Sequence, residues 1–352
     1  MNEMEHTMQV EKRERNSSIE LLRIAALLVI FWMHGSGNAT DNQTGICLSI
    51  FAETIGNMGV SCFILITGYF GLRLNVKKLI KLDLMLVFYC WIGLFFQQFW
   101  GADLGMETQL TYIFPVIGKR SWYFTCYFVL AFLSPFLNEM IEKIGRLRLK
   151  QLIITMLVIF SGVTTVCFFD IMEDGGKGIV HMIMLYLIGR YIGLYWQDKK
   201  IKTGKLAGIF AATLFVNFGL NLALYFLTGS VQNRFARDCT LFTITEAVCA
   251  FLIFRNFHFE NKLVNAVAKH VPAIFIMEWT IRGITWHYVI PYLEWVDRTW
   301  YVPLMLAIGA LLIVVGTLID CLRILLLGWL ENLLGDRIYA AGCAVKRKFI
   351  KA

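Results

Sequence analysis

Ser17-Ser18-Ile19-Glu20-Leu21-Leu22-Arg23-Ile24-Ala25-Ala26-Leu27-Leu28-Val29-Ile30-Phe31-Trp32-Met33-His34-Gly35 is apolar at most positions and yet holds three ionisable side chains, Glu20, Arg23 and His34. It is about as long as a helix must be to cross a hydrocarbon layer of ~30 Å. Similar runs recur at 46–71, 79–100, 121–141, 151–169, 179–196, 206–227, 239–254, 267–290 and 301–326, so with 19–35 the sequence predicts ten membrane spans.

Composition agrees with this reading. The chain is 58% hydrophobic and 16% charged, with a mean hydropathy of +0.62. Soluble domains have roughly 45–50% apolar and 25% charged residues, so a water-soluble domain is excluded. The segments between the runs are short, which leaves no separate catalytic domain and places any chemistry among the helices. The fold class expected is an all-α polytopic membrane protein, with a cytoplasmic tail at 1–15, a transmembrane domain at 16–330 and a second cytoplasmic tail at 331–352. The polar N-terminal stretch and the charged first run do not read as a cleaved signal peptide.

Basic residues set the orientation. Lys12, Arg13 and Arg15 precede the first run, Arg73, Lys77, Lys78 and Lys81 follow the second, Lys143, Arg146, Arg148 and Lys150 follow the fourth, and Lys199, Lys200, Lys202 and Lys205 follow the sixth. Arg255, Lys262 and Lys269, then Lys346, Arg347, Lys348 and Lys351, continue the alternation. The positive-inside rule makes these connections and both termini cytoplasmic. Lys119 with Arg120, and Arg234 with Arg237, lie on the other side and resist the rule. Topology thus accounts for the net charge of +8 without a nucleic-acid partner. The nine cysteines mostly lie inside apolar runs, form no CxxC pair and read as small packing residues rather than metal ligands or disulfides.

An ionisable group inside a span costs at least ~2.5–3.5 kcal/mol, so each calls for a partner or a task. Arg23 and His34 are eleven residues apart, which puts them within about 20° on one helical stripe and about 16 Å apart in depth. Glu20 lies one turn from Arg23, where an i, i+3 ion pair lowers the cost of both charges. That pair reads equally as structural or functional. Imidazole titrates near neutral pH, so His34, at the outer end of its span, reads either as a helix-to-helix hydrogen bond or as a general base. Asp83, His181, Arg190, Glu246, Glu278 and Arg282 are the other intramembrane candidates. Glu278 and Arg282 share a face by i, i+4 spacing, as structural glue or as part of a substrate cavity.

The segment Asn16-Ser17-Ser18-Ile19-Glu20-Leu21-Leu22-Arg23-Ile24-Ala25, followed by His34, resembles the opening of the acyltransferase-3 family of membrane acyltransferases, with its Arg-x10-His spacing. Gly59-Val60-Ser61-Cys62-Phe63 into Thr67-Gly68-Tyr69-Phe70, Ser121-Trp122-Tyr123-Phe124, and Leu133-Ser134-Pro135-Phe136-Leu137-Asn138 resemble further segments of that family, in its order. The resemblance thins beyond the fourth span. It implies a bundle of about ten helices that moves an acyl group, usually acetyl from acetyl-CoA, to a hydroxyl of a surface polysaccharide or related envelope sugar. The implied location is the cell membrane, with acyl-CoA as a co-substrate and no permanently bound cofactor or metal.

On that reading His34, with Arg23 and Glu20, is catalytic. Arg73, Lys77, Lys78 and Lys81 are candidates to hold the phosphates of CoA, or else only orient their helices. Lys78 and Lys81 stand where the family has Arg-x-x-Arg. Trp122, Tyr123, Glu278 and Arg282 are candidates to bind substrate, although Trp122 and Tyr123 also suit interfacial anchors. The sequence departs from the family at Phe275-Ile276-Met277-Glu278, where a Tyr-Leu-Ile-His-like stretch is expected. It ends soon after the tenth span, without the esterase-like domain that some members carry. A transporter or flippase for a sugar or amino acid is the rival reading of the same charges, disfavoured by the lack of a half-to-half repeat. The His-x4-Asp motif of glycerolipid acyltransferases is absent.

Overall fold

The computed structural model describes residues 16–36, 42–167, 169–197 and 199–351, all helical or loop, with no strand among them. The expected tail at 1–15 lies outside the described residues.

Helices cover most of the described residues of each apolar run. The first is α1 (Ser17–Ser36), and the second is two helices, α2 (Gln43–Gly56) and α3 (Met58–Phe70). The break falls at Asn57, whose Nδ2 donates to the carbonyl of Ala236 at 2.8 Å. Then come α4 (Val76–Phe99), the short α5 (Met106–Ile113) and α6 (Trp122–Met156), which runs through a π-helical turn (Leu157–Gly162) into α7 (Val163–Val166). The fourth and fifth runs thus form one helical stretch bent at Gly145, whose φ of 69° lies in the left-handed region that glycine tolerates. They are followed by α8 (Ile179–Tyr195), α9 (Thr203–Thr228), α10 (Leu241–Asn256), α11 (Lys262–Ala268), α12 (Val271–Ile284) with a π-helical turn at Thr285–Val289, and α13 (Tyr301–Lys351). The last helix continues through 331–351, where a tail was expected.

Among the described residues, six helical stretches are long and apolar enough to cross a membrane: Ser17–Ser36, Gln43–Phe70, Val76–Phe99, Trp122–Val166, Thr203–Thr228 and Tyr301–Ala344. The others among the expected ten are shorter, α10 with 16 residues and α12 with 14.

Local chemistry explains where the helices start. Asn42, Asn75, Thr240 and Asn261 each accept, through the side-chain oxygen, a hydrogen bond from the backbone N–H three residues on, which satisfies an orphan donor of the first turn. Pro272 sits in the first turn of α12, where its missing N–H costs nothing.

α3 is the buried centre, with Cys62, Ile64, Leu65 and Ile66 all fully enclosed. It packs on α8 through glycines. A Cβ at Gly68 would collide with the carbonyl oxygen of Tyr186, one at Gly189 with that of Leu65, and one at Gly193 with that of Tyr69. Backbones approach this closely only where side chains are absent, which is how membrane helices gain contact without a hydrophobic driving force. The outer face is apolar: Trp91, Phe95 and Phe99 of α4, Phe132 and Phe136 of α6, and Leu322 and Leu325 of α13 are exposed, as lipid contact requires. All nine cysteines are free, and Cys62, Cys90, Cys126, Cys239 and Cys249 are buried as packing residues.

Candidate active site

α1 carries Glu20 and Arg23 at one end and His34 in its last turn, and each end opens on a different cavity. The first cavity, of about 320 Å³, is lined by Glu20 and Arg23 of α1, Leu82 of α4, Tyr123 and Tyr127 of α6, and Lys269, Val271 and Pro272 at the start of α12. The second, of about 280 Å³, is lined by His34, by Tyr89 and Gly93 of α4, by Tyr112 and Arg120, by Trp122 of α6, and by Glu278 and Arg282 of α12. The two cavities lie toward opposite ends of α1.

His34 Nδ1 lies 3.1 Å from Oε2 of Glu278, and Arg282 Nε donates to Oε1 of the same carboxyl at 2.7 Å. Glu278 is 4% exposed, whereas His34 is 40% exposed toward the cavity. In the neutral tautomer that donates from Nδ1 to this carboxyl, the lone pair of His34 lies on Nε2. Arg120 donates from Nη2 to the hydroxyl of Tyr112 at 2.6 Å, with its guanidinium 3.8 Å above that ring. Gly93 lets α4 approach α12, since a Cβ there would lie 3.0 Å from Thr280 Oγ1.

The expected residues divide. Arg23 and Glu20 form their ion pair, Nε to Oε2 at 3.4 Å, but line the first cavity and do not reach His34. Trp122 borders the second cavity and Tyr123 the first. Lys77 pairs with Asp336 at 2.6 Å and Lys81 donates to Asn332 at 2.5 Å, both on α13, while Arg73 and Lys78 are exposed. None of these four lines either cavity. Glu246 accepts from Asn217 at 3.1 Å, His181 is buried without a hydrogen-bond partner on either ring nitrogen, Arg190 packs beside Gly71, and Asp83 is half-buried, all away from the two cavities.

A second intramembrane cluster escaped the sequence reading. Asp320 accepts from Tyr89 OH at 2.7 Å and from Arg323 Nε at 2.8 Å, and His270 Nδ1 lies 2.6 Å from its other oxygen. Arg323 also pairs with Glu331. Asp320 and Arg323, three apart in an apolar run, gave the same signal as Glu20 and Arg23. Arg120 gave one too, as a basic residue on the side that the charge rule disfavours.

In the connection before α10, Asp238 lines a polar hollow of about 640 Å³ with Glu53, Asp174 and Lys177. Its carboxyl is 2% exposed, and burial pushes its pKa up to about 7 against the opposing pull of Lys177. Among the described residues no group of His, Cys, Asp and Glu is arranged to hold a metal.

The sequence model of the acyltransferase-3 family, described as an acyltransferase domain, matches residues 16–319. Searches of curated proteins and of solved structures returned no match.

Proposed function

From the chain's membership of the acyltransferase-3 family, which makes it a membrane acyltransferase, we propose that it moves an acyl group, most simply acetyl, from cytoplasmic acyl-CoA to a sugar hydroxyl of an envelope or lipid-linked glycan on the far side of the cell membrane. The observation that carries this reading is the contact of His34 with Glu278 at the wall of one cavity, with a second, cationic cavity beneath it on the same helices.

Arg23 and Lys269 of the inner cavity, with Lys78 and Lys81 at the cytoplasmic rim, hold the anionic donor. The pantetheine arm spans the ~16 Å between the levels of Arg23 and His34. Glu278 orients His34 and stabilises it when protonated. Nε2 takes the proton of the acceptor hydroxyl as its oxygen attacks the thioester carbonyl. The C–S bond breaks, and Nε2 returns that proton to the departing thiolate, so CoA leaves as the thiol and no net proton is consumed. The reading includes ten crossings with both termini in the cytoplasm, as the basic residues direct.

The test uses purified chain in proteoliposomes with radiolabelled acetyl-CoA and an envelope glycan extract. Label enters glycan with the wild type and not with H34A. Equal labelling by H34A removes His34 from the mechanism, and no labelling by either overturns the reading.

A further inference from the structure

The two cavities share one wall residue, Phe275. Along α1 the lining passes from Arg23 to His34, along α4 from Leu82 to Tyr89, and at the start of α6 from Tyr123 to Trp122. On α12 it passes from Pro272 to Glu278. The same four helices therefore wall one path from the cationic end to His34, and that path is interrupted at Phe275.

The interruption is an aromatic cluster. The ring of Phe275 lies 5.4 Å from Tyr123 and 6.3 Å from Phe63, edge to face in both cases, and 5.8 Å from Phe124. Tyr123, Phe63 and Phe124 all line the inner cavity only. Phe275 itself is half-buried, unlike its fully packed neighbours Ala273 and Ile274, so its ring borders open volume.

We infer that Phe275 is the partition that the acyl group must pass on its way from the inner cavity to His34, and that it restricts the donor to short acyl chains. The inference rests on the functional reading above. Rotation of one side chain about χ1 opens such a partition without moving a helix. A short acyl group with its thioester passes the ring edge, whereas each added methylene must find room among four aromatic rings already in contact. In its closed position the ring also keeps water of the outer cavity from the thioester, so that hydrolysis does not compete with transfer.

The experiment supplies radiolabelled acetyl-, butyryl- and octanoyl-CoA to inside-out vesicles from cells with and without the chain. It reads label in glycan and label released as free acid. Wild type transfers acetyl in preference to butyryl and octanoyl. F275A narrows the acetyl-to-butyryl preference by about tenfold and raises the share of free acid. F275L, which keeps more of the bulk, narrows the preference less than F275A, and F275W lowers transfer of butyryl and octanoyl more than that of acetyl. Wild-type preference and hydrolysis retained by a correctly inserted, active F275A overturn the inference while leaving the functional reading intact. Glycan labelling that is independent of the chain overturns that reading, and the inference with it.

Discussion

His34 Nδ1 and Glu278 Oε2 stand 3.1 Å apart although 244 residues separate them in sequence, and the carboxylate that fixes the imidazole is itself held by Arg282. An imidazole whose Nδ1 is committed in this way presents Nε2 as its only base. Loss of the carboxylate should therefore impair the histidine without removing it.

E278Q keeps the shape of the contact but not its charge. It should lower kcat by roughly 10²–10⁴-fold with little change in the Michaelis constant for acyl-CoA, and should alter the pH–rate profile, which a purely structural role does not touch. A changed donor constant with an unchanged kcat would assign Glu278 to binding instead.

Donor binding should respond to the cytoplasmic cations. R23Q, and K78Q with K81Q together, should each raise the Michaelis constant for acyl-CoA well above any change in that for the acceptor. A double lysine variant with an unaltered donor constant would leave Lys78 and Lys81 with orientation and helix pairing as their roles, and Arg23 with Lys269 as the donor contacts.

The charge rule gives a topology that thiol labelling tests. In a cysteine-free background, a cysteine at Asn75 should escape a membrane-impermeant reagent applied to intact cells, and one at Gln232, in the connection before α10, should react. The opposite pattern would invert the chain.

The Asp238 carboxyl titrates near pH 7 in the folded protein and near 4 when unfolded. Between those values the folded state binds the extra proton, so its stability should fall as pH rises from about 4 through 7 and level off above. D238N, which cannot ionise, should flatten that dependence in thermal unfolding of the detergent-solubilised protein between pH 5 and 8. A slope identical to wild type would show that Glu53, Asp174 or another group governs it.

Asp320 ties α13 to α4 through Tyr89 and to the start of α12 through His270. Removing its charge leaves buried Arg323 with Glu331 as its remaining counter-ion and takes the charged acceptor from His270 and Tyr89, which costs some part of the ~3–5 kcal/mol of a broken buried pair. D320N should accordingly lower the unfolding temperature far more than Q232A on the exposed loop, and equal thermal stability would show that the cluster is not needed for the fold.

The sequence made the ten apolar runs and the first-span stripe legible, because a lipid environment forces apolar character on whole helices and leaves each polar residue conspicuous. It hid the division of the second run at Asn57, since the side chain at the break bonds to Ala236, far along the chain. The partner of His34 was equally hidden: the i, i+4 spacing of Glu278 and Arg282 predicts their mutual contact, but only the packing of α1 against α12 brings the imidazole to the other oxygen. Arg23 and His34 share a stripe on α1, yet their difference in depth puts them in different cavities. Asp320, Arg323 and Arg120 were legible by the same test of misplaced charge, though their partners on other helices were not.

The glycine contacts of Gly68, Gly189 and Gly193 have a mechanical meaning. Where backbone meets backbone there is no side chain to change rotamer and take up a displacement, so α3 and α8 form a stiff spine. The cavities lie mainly among α1, α4, α6 and α12, with Phe63 and Thr67 of α3 at the inner one, where large, rotatable side chains such as Tyr123 and Phe275 meet. Such side chains can turn while the α3–α8 backbone contact stays in place, so that contact offers a fixed frame for them.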